Sequence, residues 1–260
     1  MKIGVFDSGI GGITVLHEAM RRLPREDFIY FADTLHVPYG TKPKEDVLQF
    51  VKASAETIVQ HDVKALVIAC NTATSIAINA LRQHYALPIV GMEPAVKPAI
   101  EMNRASGKRV LVFATPLTLK ESKYKALVSR VDDAGMVDSI PLPDLVRYCE
   151  SLVFEGPAIR DYFAGILQDV DLSVYGTVVL GCTHYPFYRK LLSELLPGHI
   201  QIVDGSKGTV NRLIQLLQER GALGQGGSTD VTWLCSDNSP AYLRKMPEAL
   251  AMLQRMEAQR

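Results

Sequence analysis

Nine short apolar runs, separated by segments of helical pattern, constrain this chain more than any other feature. They lie at 3–7, 28–32, 65–69, 88–91, 109–114, 136–140, 177–181, 200–203 and 231–235. Most are rich in Val, Ile and Leu and have no polar face, as strands buried on both sides of a parallel sheet require. The intervening segments carry helix signals. Ile13, Leu16, Met20 and Leu23 form one stripe at helical spacing. Pro43, Pro94 and Pro157 stand where helices should begin, a place that tolerates the missing N–H. Gly107 stands where one should stop. Alternation of this kind predicts an α/β fold with mainly parallel sheets.

The 260 residues fit one large or two medium domains. An internal echo favours two. Ile3–Ser8 resembles Val110–Thr115, each a strand opening into a turn with small or hydroxyl residues. Leu66–Thr72 resembles Val178–His184, each an apolar strand ending in Cys before a helix. Both pairs are separated by nearly the same length of chain, which predicts two related α/β domains.

Charge and cysteine usage exclude several functions. Lys+Arg and Asp+Glu both number 28, without the basic excess expected of a nucleic-acid or anionic-membrane binder. The apolar stretches are too short to span a bilayer. The N-terminus reaches Asp7 without a signal-peptide core, so a cytoplasmic location is expected. Cys70, Cys149, Cys182 and Cys235 form no CxxC pair, which excludes zinc-ribbon and thioredoxin readings and predicts free thiols.

Ligands of open parallel sheets bind beyond the carboxyl ends of the strands. Cys70 and Cys182 are both expected there, each before a helix whose amides and dipole should lower the thiol pKa. Their neighbours Asn71–Thr72–Ala73–Thr74 and Thr183–His184–Tyr185 would suit a purely apolar site poorly. Cys149 and Cys235 read instead as small buried hydrophobes. Asp7–Ser8–Gly9–Ile10–Gly11–Gly12 is a strand-to-helix glycine turn, and Asp33 stands where a ribose-binding acid would follow. The dinucleotide fingerprint fails, because the third small position from Gly9 is Thr14 and Asp7 would face the pyrophosphate. The readings left for this turn are exposure of Asp7 and Ser8 to a small polar ligand and a tight turn capped by Asp7. Gly40, in Val37–Pro38–Tyr39–Gly40, would let the backbone approach a carboxylate closely. His184 is placed to set the protonation of Cys182. A zinc site of Cys70, Cys182 and His184 lacks ligand spacing, so no metal is expected. His17, His36, His61, His84 and His199 read as surface or packing residues.

Four motifs in order, GVFDSGIGG at 4–12, PYG at 38–40, ACNTAT at 69–74 and GCTHYP at 181–186, resemble those of the glutamate racemases. These are cofactor-independent enzymes of the aspartate/glutamate racemase superfamily that supply D-glutamate for bacterial peptidoglycan. The resemblance covers essentially the whole chain. It implies two pseudosymmetric α/β domains, 1–93 with 206–260 and 94–205, a site in the cleft between them, and a homodimer. Cys70 and Cys182 match the two catalytic cysteines, with Cys70 acting on D-glutamate and Cys182 on L-glutamate. Asp7 and His184 match auxiliary acid/base residues. Ser8, Tyr39, Gly40, Asn71, Thr72 and Thr183 match substrate-binding positions, and ATPLTLK and RYCES add Thr115, Thr118 and Glu150. The sequence begins at its first strand, without the N-terminal extension associated with activation by a nucleotide precursor in some members, so that regulation is not expected. The alternatives are a racemase of another small acid such as aspartate, and a two-lobed solute-binding module without turnover.

Overall fold

All nine apolar runs form strands, with ends within two residues of expectation. The structure, a computed structural model, describes residues 1–258. Residues 259–260, assigned to the first domain by the resemblance, lie outside the described residues. Strands β1 (Lys2–Asp7), β2 (Phe28–Ala32), β3 (Val63–Ile68), β4 (Ile89–Gly91) and β9 (Val231–Cys235) make one sheet in the order β4-β3-β1-β2-β9. Strands β5 (Arg109–Ala114), β6 (Val137–Pro141), β7 (Tyr175–Gly181) and β8 (Gln201–Asp204) make a second in the order β6-β5-β7-β8. Every pairing is parallel.

The internal echo is structural. Matching β1 to β5, β2 to β6, β3 to β7 and β4 to β8 gives both sheets the same strand order. Ile3 pairs with Phe28 and Ala65, and its counterpart Val110 pairs with Val137 and Thr177. The β1/β3 and β5/β7 ladders even share an irregularity at the corresponding step, Lys2/Ile3 and Arg109/Val110.

Helices fill the crossovers, as parallel strands require. Ile13 and Leu16 turn the stripe of α1 (Ile13–Arg22) into the core. Pro43 is the residue before α2 (Lys44–Val59), Pro94 lies two residues before α4 (Val96–Asn103), and Pro157 is the first residue of α8 (Pro157–Leu167). Gly107 takes φ +68° and returns its N–H to Asn103, a stop that needs glycine. α2 and α3 (Asn71–His84) cover one face of the first sheet through Val47, Val51 and Leu81. α4 and α6 (Ser122–Val131) cover one face of the second through Val96, Ile100 and Leu127. A larger core containing Ile3, Val5, Leu111 and Phe113 runs across both sheets. It also takes in residues of α7 (Pro143–Glu150), α10 (Ser206–Glu219) and α11 (Pro240–Ala258). Among the described residues, no helix is long and apolar enough to cross a membrane.

Candidate active site

The carboxyl ends of the two matched strand pairs, β1 and β3 in one sheet and β5 and β7 in the other, meet in one buried polar cluster. Asp7 ends β1 and is fully buried. Its Oδ1 accepts the Gly9 N–H at 3.0 Å, and its Oδ2 accepts the Thr183 hydroxyl at 3.0 Å, from beyond β7. Burial pushes its pKa up to about 6, against the lowering pull of His184 and these hydrogen bonds.

Cys70 follows β3 and caps α3, its Sγ accepting the Ala73 N–H at 3.4 Å. Ser8 Oγ lies 3.8 Å from that sulfur. The expected helix N-terminus is therefore in place, but the expected lowering of the thiol pKa is not. Burial pushes the Cys70 thiol well up, the Asp7 carboxylate adds to it, and the Ala73 N–H offsets only part. One amide cannot replace the water removed from a cysteine that is only 6% exposed.

Cys182 stands at the matching place after β7, but no α-helix starts there. A 3₁₀ turn, Tyr185–Tyr188, comes first, and α9 (Arg189–Leu195) begins only after it. The immediate partner of this sulfur is a side chain instead. Cys182 Sγ lies 3.7 Å from His184 Nδ1, and His184 Nε2 lies 2.7 Å from Glu150 Oε1. Burial would lower the His184 pKa, but its hydrogen bonds to Cys182 and Glu150 raise it well above the usual value. Glu150, the last residue of α7, is held down to about 2. Burial opposes that shift, and His184, Lys245 and Tyr242 overcome it.

A second group ties the halves together through hydroxyls. Thr72 Oγ1 lies 2.9 Å from Thr115 Oγ1 and 3.0 Å from Thr118 Oγ1, which lie 2.9 Å from each other. Thr115 follows β5 and Thr118 sits in the short helix α5 (Pro116–Lys120). Gly40 packs directly on Thr115, where a Cβ would stand 2.5 Å from Thr115 Cβ. The Tyr39 hydroxyl turns away from this group and donates to the buried Asp33, which also binds His36 Nδ1 at 2.9 Å. Asn71 donates to the Met92 carbonyl at 3.4 Å, while its Oδ1 is buried without a partner.

Residues 11–213 match the family described as Asp/Glu/hydantoin racemase. The chain is 52% identical over 237 residues to the glutamate racemase of Halothermothrix orenii, covering 91% of this chain and 93% of that one. This chain belongs to the glutamate racemases of that family. It is also 49% identical over 229 residues to glutamate racemase 2 of Bacillus subtilis, covering 88% and 86% of the two chains. The crystal structure of glutamate racemase from Francisella tularensis in complex with D-glutamate matches with a TM-score of 0.81 at 28% identity, covering 97% of this chain and 93% of that one.

The glycine turn, in this racemase fold, serves carboxylates rather than a pyrophosphate. Its Gly9 N–H goes to Asp7, and its Ile10 N–H goes to Glu150 Oε1 at 2.8 Å. Tyr30 fixes the turn by donating to the Gly9 carbonyl at 2.6 Å. Sequence reasoning missed Tyr30, Tyr242 and Lys245. No local signal marks them, since each reaches the cluster only through strand order or helix packing. All four cysteines are free. Among the described residues, no group of three or more His, Cys, Asp or Glu has metal-binding geometry. A cavity of about 920 Å³, lined by Thr14, His17, Arg189 and Ser206 among others, contains none of the predicted site residues. The polar cluster is the better candidate because its side chains surround two cysteines, both of them buried.

Proposed function

We propose that this chain interconverts L- and D-glutamate without a cofactor, using Cys182 and Cys70 as acid/base groups on opposite faces of the α-carbon. One observation carries the reading. Two thiols stand at matched strand ends, Cys70 beside Ser8 and Cys182 beside His184, and the Thr183–Asp7 hydrogen bond joins the ends of β7 and β1.

In the L-to-D direction the cycle starts from a Cys70 thiol, the form that burial favours, and a Cys182 thiolate 3.7 Å from His184 Nδ1. The Cys182 thiolate takes the α-proton of L-glutamate, and the C–H electron pair remains on the α-carbon. The Cys70 thiol gives its proton to the opposite face. D-glutamate, a Cys70 thiolate and a Cys182 thiol result, and turnover of D-glutamate reverses every step. Protonation of Asp7, eased by its raised pKa, removes one charge opposing the Cys70 thiolate. Oriented donors and water exclusion stabilise the carbanion. Asn71, Thr72 and Thr183 serve the amine and α-carboxylate, and the free Asn71 Oδ1 suits an ammonium. Ser8 and the Tyr39–Gly40 amides serve the distal carboxylate, with Thr115 and Thr118 orienting Thr72.

The lobes of this reading are 1–93 with 206–260 and 94–205, and the site is the cleft between them. The accompanying role is D-glutamate supply for peptidoglycan, in the cytoplasm, by a homodimer. Purified, chelator-treated protein lacking pyridoxal absorbance should abolish the optical rotation of L-glutamate. Dependence on pyridoxal phosphate or a divalent ion would remove the two-thiol mechanism. Preferential turnover of aspartate would select the other racemase reading, and binding without turnover the solute-binding module.

Because both sulfurs are buried, substrate must enter through relative motion of the lobes. Glutamate should raise the melting temperature by binding only the folded state. Hydrogen exchange should slow at 7–12, 38–40, 70–74 and 181–186. Slowing confined to segments of one sheet would count against a site between the lobes.

A further inference from the structure

The Glu150 carboxylate is loaded with four donors, and two of them come from the far end of the chain. Oε1 takes the Ile10 N–H at 2.8 Å and faces His184 Nε2 at 2.7 Å. Oε2 takes the Tyr242 hydroxyl at 2.6 Å and Lys245 Nζ at 3.1 Å. Lys245 Nζ also donates to the Glu150 carbonyl at 2.6 Å, which satisfies an acceptor at the end of α7. Tyr242 and Lys245 are three residues apart on α11, so they share one helix face, and Nζ sits 4.0 Å over the tyrosine ring.

We propose that Tyr242 and Lys245 are positioning residues that keep Glu150 a carboxylate and thereby fix the proton on His184 Nε2. The chemistry runs through one chain of hydrogen bonds. An ionised carboxylate only accepts, so the His184 nitrogen facing it must carry a proton. The other nitrogen, Nδ1, is then the one that exchanges a proton with Cys182 Sγ. Without the two α11 donors, Oε2 would have no partner in a buried place, and Glu150 could itself hold a proton. His184 would then be free to turn its lone pair toward Glu150 and lose its cationic form beside Cys182. Burial raises the stakes, since His184 is 1% exposed and water cannot substitute for a lost donor.

The proposal rests on the two-thiol reading above, and its test separates the two. Tyr242→Phe removes only a hydroxyl, Lys245→Met removes the charge and keeps most of the stem, and the double variant removes both donors. For each, kcat/KM would be measured with L- and D-glutamate and with their 2-deuterated forms. Charge-assisted bonds of this kind suggest a loss of roughly 10- to 100-fold for the double variant and less for each single one. The decisive readout is the isotope effect. A fault on the Cys182 side makes that proton transfer more rate-limiting. The effect should therefore grow for the enantiomer whose proton Cys182 removes and shrink for the other, in the same sense as in His184→Gln. Lys245→Arg should recover much of the activity. Equal isotope effects in both directions at reduced activity would mean a structural role and overturn the proposal. Unchanged activity in the double variant would do the same, while an inactive wild-type protein would instead overturn the reading beneath it. Tyr242→Phe is nearly isosteric and keeps the test available if the double variant does not fold.

Discussion

Cys70→Ala and Cys182→Ala should each lower racemisation by on the order of 10²–10⁴-fold while leaving the fold intact. Each removes one of the two groups that must act on opposite faces of one carbon. Cys149→Ala and Cys235→Ala should stay within about tenfold, after allowing for the modest stability losses of single substitutions. Cys149 is fully buried in the core, and Cys235 ends the edge strand β9, away from the polar cluster. Circular dichroism of each variant controls for folding. A fully active Cys182→Ala protein would remove the central claim. The same variants assign the faces. Specificity constants cannot do so, because the enantiomers have equal free energy and kcat/KM must be equal in both directions for every variant. Exchange of the α-hydrogen with D₂O can. In Cys182→Ala the surviving Cys70 should exchange D-glutamate faster than L-glutamate, and Cys70→Ala should show the reverse. The opposite preference in both variants would exchange the assigned faces.

Gly11→Ala should lower kcat by about 100-fold or more without removing any reacting atom. A Cβ at this position would stand 2.5 Å from Thr183 Oγ1 and 2.7 Å from His184 Cε1, closer than real Cβ contacts come. His184 has little room to yield. Its Nε2 is bonded to Glu150, whose own position is fixed by Ile10, Tyr242 and Lys245. Displacement of about 1 Å in a positioned acid/base group is enough for a loss of this size. Gly165→Ala provides the control. It lies within α8, nothing surrounds its Cβ position, and alanine is the better helix former. That variant should keep full activity and melt slightly higher. A Gly11→Ala enzyme within threefold of wild type would show that His184 is not held as tightly as its contacts imply.

Much of this candidate site is legible in the sequence. Asp7, Cys70, Thr72, Thr115 and Cys182 each end or follow a strand, and strand ends can be read from apolar runs that stop at polar residues. His184 stands two residues from Cys182, so its pairing with that thiol was a local matter. Glu150 entered only through a family motif, because nothing in RYCES marks a carboxylate that will meet a histidine 34 residues later.

Local periodicity determined the nine strands, the helices between them and the repeat relating the two halves. Each of these depends on residues close together in the chain, where side-chain pattern and backbone geometry are directly coupled. Only the tertiary structure decided how the sheets are ordered and how strand β9 returns beside β2 to close the first one. It also decided the direction in which the Cys70 thiol pKa shifts. At Cys70 the local sequence supplies one favourable helix terminus, whereas the folded chain buries the thiol and puts Asp7 nearby, which reverses the sign. Tyr242 and Lys245 could not be foreseen for the same reason. Charge stabilisation depends on distance and solvent exclusion, and these two side chains acquire both only where α11 brings them to Glu150.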